Sequence, residues 1–124
     1  MSNVAQFNMP ANSIVQVTGF TDGSYTQTAV ITGLGTGPIT LVGSGMQTTM
    51  PKTPLWTTCP SGSVTVTITN SGPTPQSQVI NGKIVLGGGT ALSSDVTTQL
   101  VISEDSTDSD FNDCSLTFTS FVRK

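Results

Sequence analysis

Between two strand-like segments, 96–102 and 114–119, the chain reads Ser103-Glu104-Asp105-Ser106-Thr107-Asp108-Ser109-Asp110-Phe111-Asn112-Asp113, here called the acidic loop. Both flanking segments are rich in β-branched and apolar residues, as is typical of strands bounded by a polar turn. Five of the seven acidic residues of the chain lie in the acidic loop, whereas the rest of the chain holds two acidic and four basic residues. The pattern predicts an acidic loop that joins two core strands.

The acidic loop needs a counter-charge in the folded protein. Two carboxylates about 4 Å apart repel each other by up to about 4 kcal/mol at an effective dielectric constant near 20. The loop contains no Lys, Arg or His, so a metal ion is the natural partner. Oxygen ligands, with no histidine and only the thiol of Cys114 nearby, favour a hard cation such as calcium over zinc or copper.

Two other interpretations of the acidic loop fit the sequence less well. Acidic runs are often solvated, disordered or linker segments, but this run lies between two strand-like segments. An EF-hand has ligands at the spacing of Asp108, Asp110 and Asn112. Its sixth position would be Asp113 where glycine is needed, and its twelfth would be Thr119 where glutamate is needed. The flanks are also strands, so the loop does not match an EF-hand.

The remainder of the chain is also predicted to form strands. Segment 64–69 alternates apolar residues with threonine, which is the period of a strand with one buried face. Similar patterns cover 4–8, 13–20, 26–32, 38–42, 54–58, 77–86, 96–102 and 114–121, and turn-forming residues separate them at 21–24, 33–38, 70–75 and 87–89. About nine short strands without a helical period predict an all-β fold, an antiparallel β-sandwich, with residues 1–124 as a single domain.

The composition argues against several classes of function. A net charge of −3 at pH 7 with four basic residues leaves no basic patch for nucleic acid or an anionic membrane. No apolar stretch approaches the length of a membrane span, and the N-terminal residues lack the pattern of a secretory signal. We therefore expect cytoplasmic synthesis, with action at the cell surface or outside the cell after non-classical release. Cys59 and Cys114 are expected to be free thiols, with Cys114 in the core.

Two blocks of the sequence resemble one protein family. The acidic loop, with Ser103-Glu104-Asp105, Thr107-Asp108 and Asp110-Phe111-Asn112-Asp113, resembles the calcium-loop signature of the fucose-binding lectin II family. Segments 7–12, 17–20 and 26–28 are similar to the N-terminal strands of that family. Its members are bacterial lectins that hold a monosaccharide directly on two adjacent calcium ions. The resemblance implies a β-sandwich lectin for fucose- or mannose-containing glycans, and not an enzyme.

The resemblance also implies roles for individual residues. The first calcium ion would be bound by Glu104, Asp108, Asp110 and Asp113, and the second by Asp22, Asn112 and the two bridging carboxylates, Asp110 and Asp113. The residues implied to contact the sugar are Asp22, Gly23, Ser24, Glu104, Asp105, Asp108, Asp110 and Asp113. In the family, the C-terminal carboxylate of a neighbouring subunit reaches the second ion. Here that carboxylate belongs to Lys124, so the resemblance implies a homodimer or homotetramer.

Three points stay open at the level of sequence. A calcium-stabilised structural or adhesion β-sandwich would have the same acidic loop but no sugar. A glycosidase would use paired carboxylates, although metal-bound carboxylates are poor proton donors and the chain has no histidine. The order of preference between fucose and mannose would depend on Gly23-Ser24-Tyr25 and on Met46. Tyr25 is either a sugar contact or an ordinary strand aromatic.

Overall fold

The computed structural model describes residues 2–50, 57–85, 96–105 and 113–122. Within these ranges it has no helix and eight strands: β1 (Val4–Asn8), β2 (Ser13–Thr32), β3 (Ile39–Thr49), β4 (Thr57–Cys59), β5 (Ser63–Asn70), β6 (Gln78–Val85), β7 (Val96–Glu104) and β8 (Cys114–Val122). Every pairing between these strands is antiparallel. The predicted all-β antiparallel fold is therefore confirmed. None of the described residues forms a helix that could cross a membrane.

The core follows directly from the period-two pattern of the strands. In β5, Val64, Val66 and Ile68 are fully buried, and full burial of such a side chain contributes about 1.5–3 kcal/mol. From β8, Leu116 and Phe118 enter the same apolar cluster. The ring of Phe118 meets that of Phe7 edge to face, with ring centroids 5.1 Å apart. The core therefore lies between the β1–β5 side and the β8 side of the fold.

Strand β2 belongs to both sides of this core. Its residues 13–21 pair with β8 and its residues 27–32 pair with β5, while β3 and β4 also pair with it. The order of hydrogen-bonded strands is β1-β5-β2-β8-β7-β6. Because β2 pairs with strands on both sides of the core, the described strands form one continuous hydrogen-bonded sheet.

The prediction of two strands, 13–20 and 26–32, separated by a turn at 21–24 is wrong. Strand β2 runs from Ser13 to Thr32 without a break. Its register against β3 shifts between Thr21 and Gly23, and again between Gly23 and Gln27. Such bulges let a strand bend while the ladder continues, so the turn-forming residues here mark a bulge. We call residues 21–27 the β2 bulge. This merger accounts for eight described strands where about nine were predicted.

The other boundaries agree more closely with the sequence. The predicted turns at 33–38 and 70–75 separate β2 from β3 and β5 from β6, whereas the predicted turn at 87–89 lies outside the described residues. Strand β3 extends to Thr49, well past the predicted end at 42. The residues of β3 beyond 42 pair mainly with the β2 bulge. Strand β3 is therefore longer than predicted because the bulge provides it with further hydrogen-bonding partners.

The registers of β2, β7 and β8 bring two distant segments together. Cys114, the first residue of β8, is opposite Ser103 of β7 and opposite Thr21 of β2. The N–H of Asp113 donates to the carbonyl of Ser103 at 3.1 Å, and the N–H of Asp22 donates to the carbonyl of Asp113 at 3.2 Å. The two ends of the acidic loop therefore lie beside the β2 bulge.

Candidate functional site

Three carboxylates converge where β7 ends and β8 begins. Glu104, Asp105 and Asp113 each offer a carboxylate oxygen, and these oxygens all lie within 4.8 Å of one another. Glu104 and Asp113 are buried, at 2% and 5% exposure, and Asp105 is half-buried. We call this group the acidic cluster. The β7–β8 pairing explains it, because the ladder closes at Ser103 and Cys114 and leaves these three residues at the mouth of the loop.

The electrostatics of the acidic cluster favour a cation. Burial, the side-chain hydrogen bond with Glu104 and the charges of Asp105 and Glu104 together raise the pKa of Asp113 to about 8. The backbone N–H of Asp105 donates to Asp113 Oδ2 at 2.9 Å and acts in the opposite direction, lowering this pKa. The ionised form is therefore disfavoured unless a positive charge is present.

The β2 bulge forms the second wall of the site. Gly23 lies against the acidic cluster, because a Cβ atom at this position would be 3.2 Å from Asp113 Oδ1 and 3.6 Å from Asp105 Oδ2. Asp22, one residue earlier, is half-buried and accepts a hydrogen bond through Oδ1 from the N–H of Gln47 at 3.2 Å. The far end of β3 thus orients Asp22.

The structure brings together part of the predicted site. Glu104, Asp105 and Asp113 form the cluster, Gly23 lies beside it, and the backbone N–H of Asp22 donates to the carbonyl of Asp113. Ser24 is on the same bulge and is exposed. The remaining predicted ligands, Asp108, Asp110, Asn112 and Lys124, lie outside the described residues. Their roles stay predictions.

The structure also describes Tyr25 and Met46, two of the residues predicted to influence the preference between fucose and mannose. Tyr25 packs its ring on the turn after β5, since a Cβ atom at Gly72 would lie 2.8 Å from its Cε2 atom and 2.9 Å from its Cδ2 atom. This contact favours the role of an ordinary strand aromatic. Met46 is 68% exposed and precedes Gln47, whose N–H binds Asp22, so it stands close to the bulge.

One residue of the site was not predicted from the sequence. Gln27 is fully buried, and its Nε2 atom donates to Asp105 Oδ2 at 2.6 Å and to the carbonyl of Tyr25 at 3.3 Å. A signal was present, because Gln27 is in phase with Ala29 and Ile31 on the buried face of β2. A polar residue on a core-facing position needs a partner, but the sequence does not say which.

The donor set of the cluster fits calcium. All the ligand atoms are carboxylate oxygens, which hard cations prefer. The thiol of Cys114 is no competitor, because burial and the charge of Asp113 raise its pKa to about 12 and its Sγ atom contacts Met50 Sδ at 3.7 Å. Both cysteines are buried and free, which confirms that expectation.

Known proteins share this architecture. The Chromobacterium violaceum lectin CV2L, solved in complex with α-methyl-fucoside, is 26% identical, with 96% of each chain covered and a TM-score of 0.75. The Ralstonia solanacearum high-affinity mannose-binding lectin is 25% identical, with 96% of each chain covered and a TM-score of 0.74. The C-terminal domain of the BC2L-C lectin from Burkholderia cenocepacia has the same fold, at 22% identity, full coverage of both chains and a TM-score of 0.69.

Sequence comparisons give one clear result. No curated protein sequence matches the chain. The model of the fucose-binding lectin II (PA-IIL) family matches residues 7–122, which is almost the whole chain. The match includes the β2 bulge and the acidic loop together. The chain therefore belongs to the fucose-binding lectin II (PA-IIL) family.

Proposed function

We propose that this protein is a calcium-dependent lectin that binds fucose- or mannose-type monosaccharides through two adjacent calcium ions. The observation that carries the proposal is the acidic cluster, whose three carboxylate oxygens lie within 4.8 Å of one another beside the β2 bulge. Such a group is costly unless a cation neutralises it. In a chain of a lectin family, a cation site at a loop mouth is suited to a sugar ligand.

The described residues divide into two kinds by position. Glu104 and Asp113 are buried and suited to hold a metal ion, as Asp22 is from the bulge. Asp105 is half-buried and Ser24 is exposed, so both are accessible to sugar hydroxyls. The proposal assigns the remaining ligands to Asp108, Asp110 and Asn112, and the closing carboxylate to Lys124 of a neighbouring subunit. Bound calcium would supply coordination positions for vicinal hydroxyls and polarise them.

The chemistry of the sugar limits the choice of ligand. Fucose and mannose share three contiguous hydroxyls, two equatorial and one axial, which suit two cations a few Å apart. In glucose the hydroxyls at C2, C3 and C4 are all equatorial, and D-galactose presents its two equatorial and one axial hydroxyls in the mirror-image sense of L-fucose. Relatives of this chain include a lectin in complex with α-methyl-fucoside and a mannose-binding lectin, which supports the same sugar class here. We assign the order of preference to Gly23, Ser24 and the exposed Met46, rather than to Tyr25.

The proposal includes assembly but no catalysis. A site completed by a neighbouring carboxylate needs at least a dimer, and several copies of one weak site gain avidity. We infer that the protein is a homodimer or homotetramer. It is not a glycosidase in this proposal, because carboxylates that hold metal ions are poor general acids.

Titration calorimetry with α-methyl-fucoside and α-methyl-mannoside, with calcium and then with excess EDTA, tests the proposal. We expect binding only with calcium. Asp110→Ala should lose both ions and all sugar binding, because this carboxylate bridges the ions in the proposed site. Asp105→Ala should keep the metals and weaken sugar binding by about 1.5–3 kcal/mol, the range of a hydrogen bond to a charged group.

Asp95→Ala is the matched control, because Asp95 is the one acidic residue outside both the acidic loop and β2. It should behave like the parent protein. If the parent binds neither sugar with calcium present, the lectin proposal fails. A calcium-stabilised structural module would then take its place, and a melting temperature that rises with calcium but not with sugar would identify it.

A further inference from the structure

Gln27 is a core residue whose side chain ends at the acidic cluster. It is 0% exposed and shares the buried face of β2 with Ala29 and Ile31. Its Nε2 atom donates to Asp105 Oδ2 at 2.6 Å and to the carbonyl of Tyr25 at 3.3 Å. The two amide hydrogens are therefore both engaged. At 2.6 Å the bond to Asp105 is shorter than ordinary N–H···O hydrogen bonds, and an ionised acceptor shortens such bonds.

The oxygen of the same amide, Gln27 Oε1, is buried without a hydrogen-bond partner among the described residues, which is unusual for a core residue. Among the residues that the structure describes, Gln27 Oε1 is the one buried side-chain oxygen or nitrogen without a hydrogen-bond partner. An unpaired buried acceptor lowers stability, and an apolar side chain of similar size would avoid that loss. Rotating the amide would turn Oε1 toward the carboxylate of Asp105 and repel it. Asp105 therefore decides how Gln27 is oriented.

A neutral donor suits this position better than a cationic one. Asp105 stands with Glu104 and Asp113 in the acidic cluster. A lysine or arginine at position 27 would bind Asp105 more strongly, but it would cancel charge that a cation site requires. A glutamine amide holds the carboxylate without changing the net charge of the site.

Asp105 is held by hydrogen bonds at both its backbone N–H and its side-chain carboxylate. Its N–H donates to Asp113 Oδ2 at 2.9 Å, and its own Oδ2 accepts from Gln27. A carboxylate has about four acceptor positions on its two oxygens, so capacity remains for ligand hydroxyls. Fixing such an acceptor before binding lowers the ordering cost of association.

We propose that Gln27 is a positioning residue that holds the Asp105 carboxylate in the orientation that accepts hydrogen bonds from the sugar, and so sets sugar affinity. The inference rests on the proposed lectin function. It concerns Asp105 alone and predicts no direct effect on calcium binding.

Gln27→Met tests this role, because methionine keeps the length of the side chain and removes both donors. Gln99→Met is the matched control. Gln99 is also buried, at 2% exposure, but its Nε2 atom donates to Asn81 Oδ1 at 2.9 Å on the β6–β7 face. By calorimetry, Gln27→Met should keep calcium affinity within about twofold and lose about tenfold in affinity for α-methyl-mannoside or α-methyl-fucoside. Gln99→Met should change neither.

A double-mutant cycle separates positioning from a general packing defect. If Gln27 acts through Asp105, Gln27→Met should have no further effect on sugar affinity in an Asp105→Ala background. Additive losses would overturn the proposal. So would a Gln27→Met protein with parental sugar affinity, or one that loses calcium affinity as strongly as sugar affinity.

A measurement without metal or sugar distinguishes this inference from the proposed function. In the metal-free protein, the side-chain amide NMR signals of Gln27 should shift when Asp105 is replaced by alanine, and they should not shift in Asp95→Ala. Unshifted signals would overturn the hydrogen bond itself. If the signals shift but the parent protein binds no sugar with calcium, the contact is real, and the lectin function and the sugar role of Gln27 are both wrong.

Discussion

Gly23→Ala tests the contact between the β2 bulge and the acidic cluster. The new methyl carbon would lie 3.2 Å from Asp113 Oδ1 and 3.6 Å from Asp105 Oδ2. The shorter distance requires a displacement of a few tenths of an ångström. Asp113 is not free to move, because its Oδ2 atom accepts the N–H of Asp105 and its side chain is hydrogen-bonded to Glu104. We therefore expect the carboxylates of the cluster to move together.

The size of the effect follows from the tolerance of metal sites. Metal–ligand distances are held within about 0.2 Å, and changes in the residues that orient ligands typically cost about 10–100-fold in metal affinity. We expect about a tenfold loss of calcium affinity, or about 1.4 kcal/mol. The fold should change little. Gly23 has no positive φ, so alanine fits the backbone. Alanine also lowers the conformational entropy of the unfolded chain, which stabilises the folded state by about 0.4–1 kcal/mol and offsets the crowding.

Two measurements separate these effects. Calorimetry gives the calcium affinity, and urea denaturation in EDTA gives the free energy of unfolding, which should stay within about 1 kcal/mol of the parent. Gly82→Ala is the control, because a Cβ atom there would meet nothing within 4 Å. If Gly23→Ala binds calcium and sugar like the parent, the bulge does not border the metal site and the reasoning is refuted.

Three further predictions concern metal, pH and assembly. Removal of calcium by EDTA should lower the melting temperature by about 10 °C. Calcium at 100 times its Kd stabilises the folded state by about 2.7 kcal/mol, and each kcal/mol shifts the melting temperature by about 4 °C. An unchanged melting temperature after verified metal removal would contradict this prediction. In EDTA, the raised pKa of Asp113, about 8 against an ordinary 3.8, means that the folded state binds the proton more tightly than the unfolded state. The free energy of unfolding should therefore fall as the pH rises from about 4 toward 8, by at most about 1.4 kcal/mol per pH unit. Saturating calcium should abolish this fall, and urea titrations near pH 5.5 and near pH 7.5 check both statements; equal stability at the two pH values in EDTA would count against the raised pKa. Finally, the protein should sediment as a dimer or tetramer, and a monomer with full sugar affinity would show that no neighbouring carboxylate completes the site.

The sequence predicted the strands because their cause is local. In segment 64–69, threonine alternates with Val64, Val66 and Ile68, and the three apolar residues are fully buried in β5. The same reasoning located β7, β8 and the acidic loop between them. The all-oxygen composition of that loop also indicated a hard cation, since ligand type depends on residue identity and not on the fold.

The β2 bulge could not be predicted in the same way. Thr21-Asp22-Gly23-Ser24 has the composition of a turn, and the same residues are compatible with a bulge inside a strand. Its partners decide between the two, because Thr21 is hydrogen-bonded into the ladder with β8 while Gly23 pairs with β3. Those partners are distant in sequence, and no local pattern specifies their register.

The sequence by itself predicted most of the strands, the acidic loop between two of them and a hard cation as its partner, because these predictions depend on residue type and short-range periodicity. Only the tertiary structure decided which residues face the acidic cluster. Gln27 and Asp105 are 78 positions apart, yet their side chains meet at 2.6 Å, because the ladder of β2 with β8 and that of β8 with β7 place the bulge against the mouth of the loop. A one-residue change in either register would reverse which side chains face inward, so the site depends on long-range pairing that local sequence does not encode.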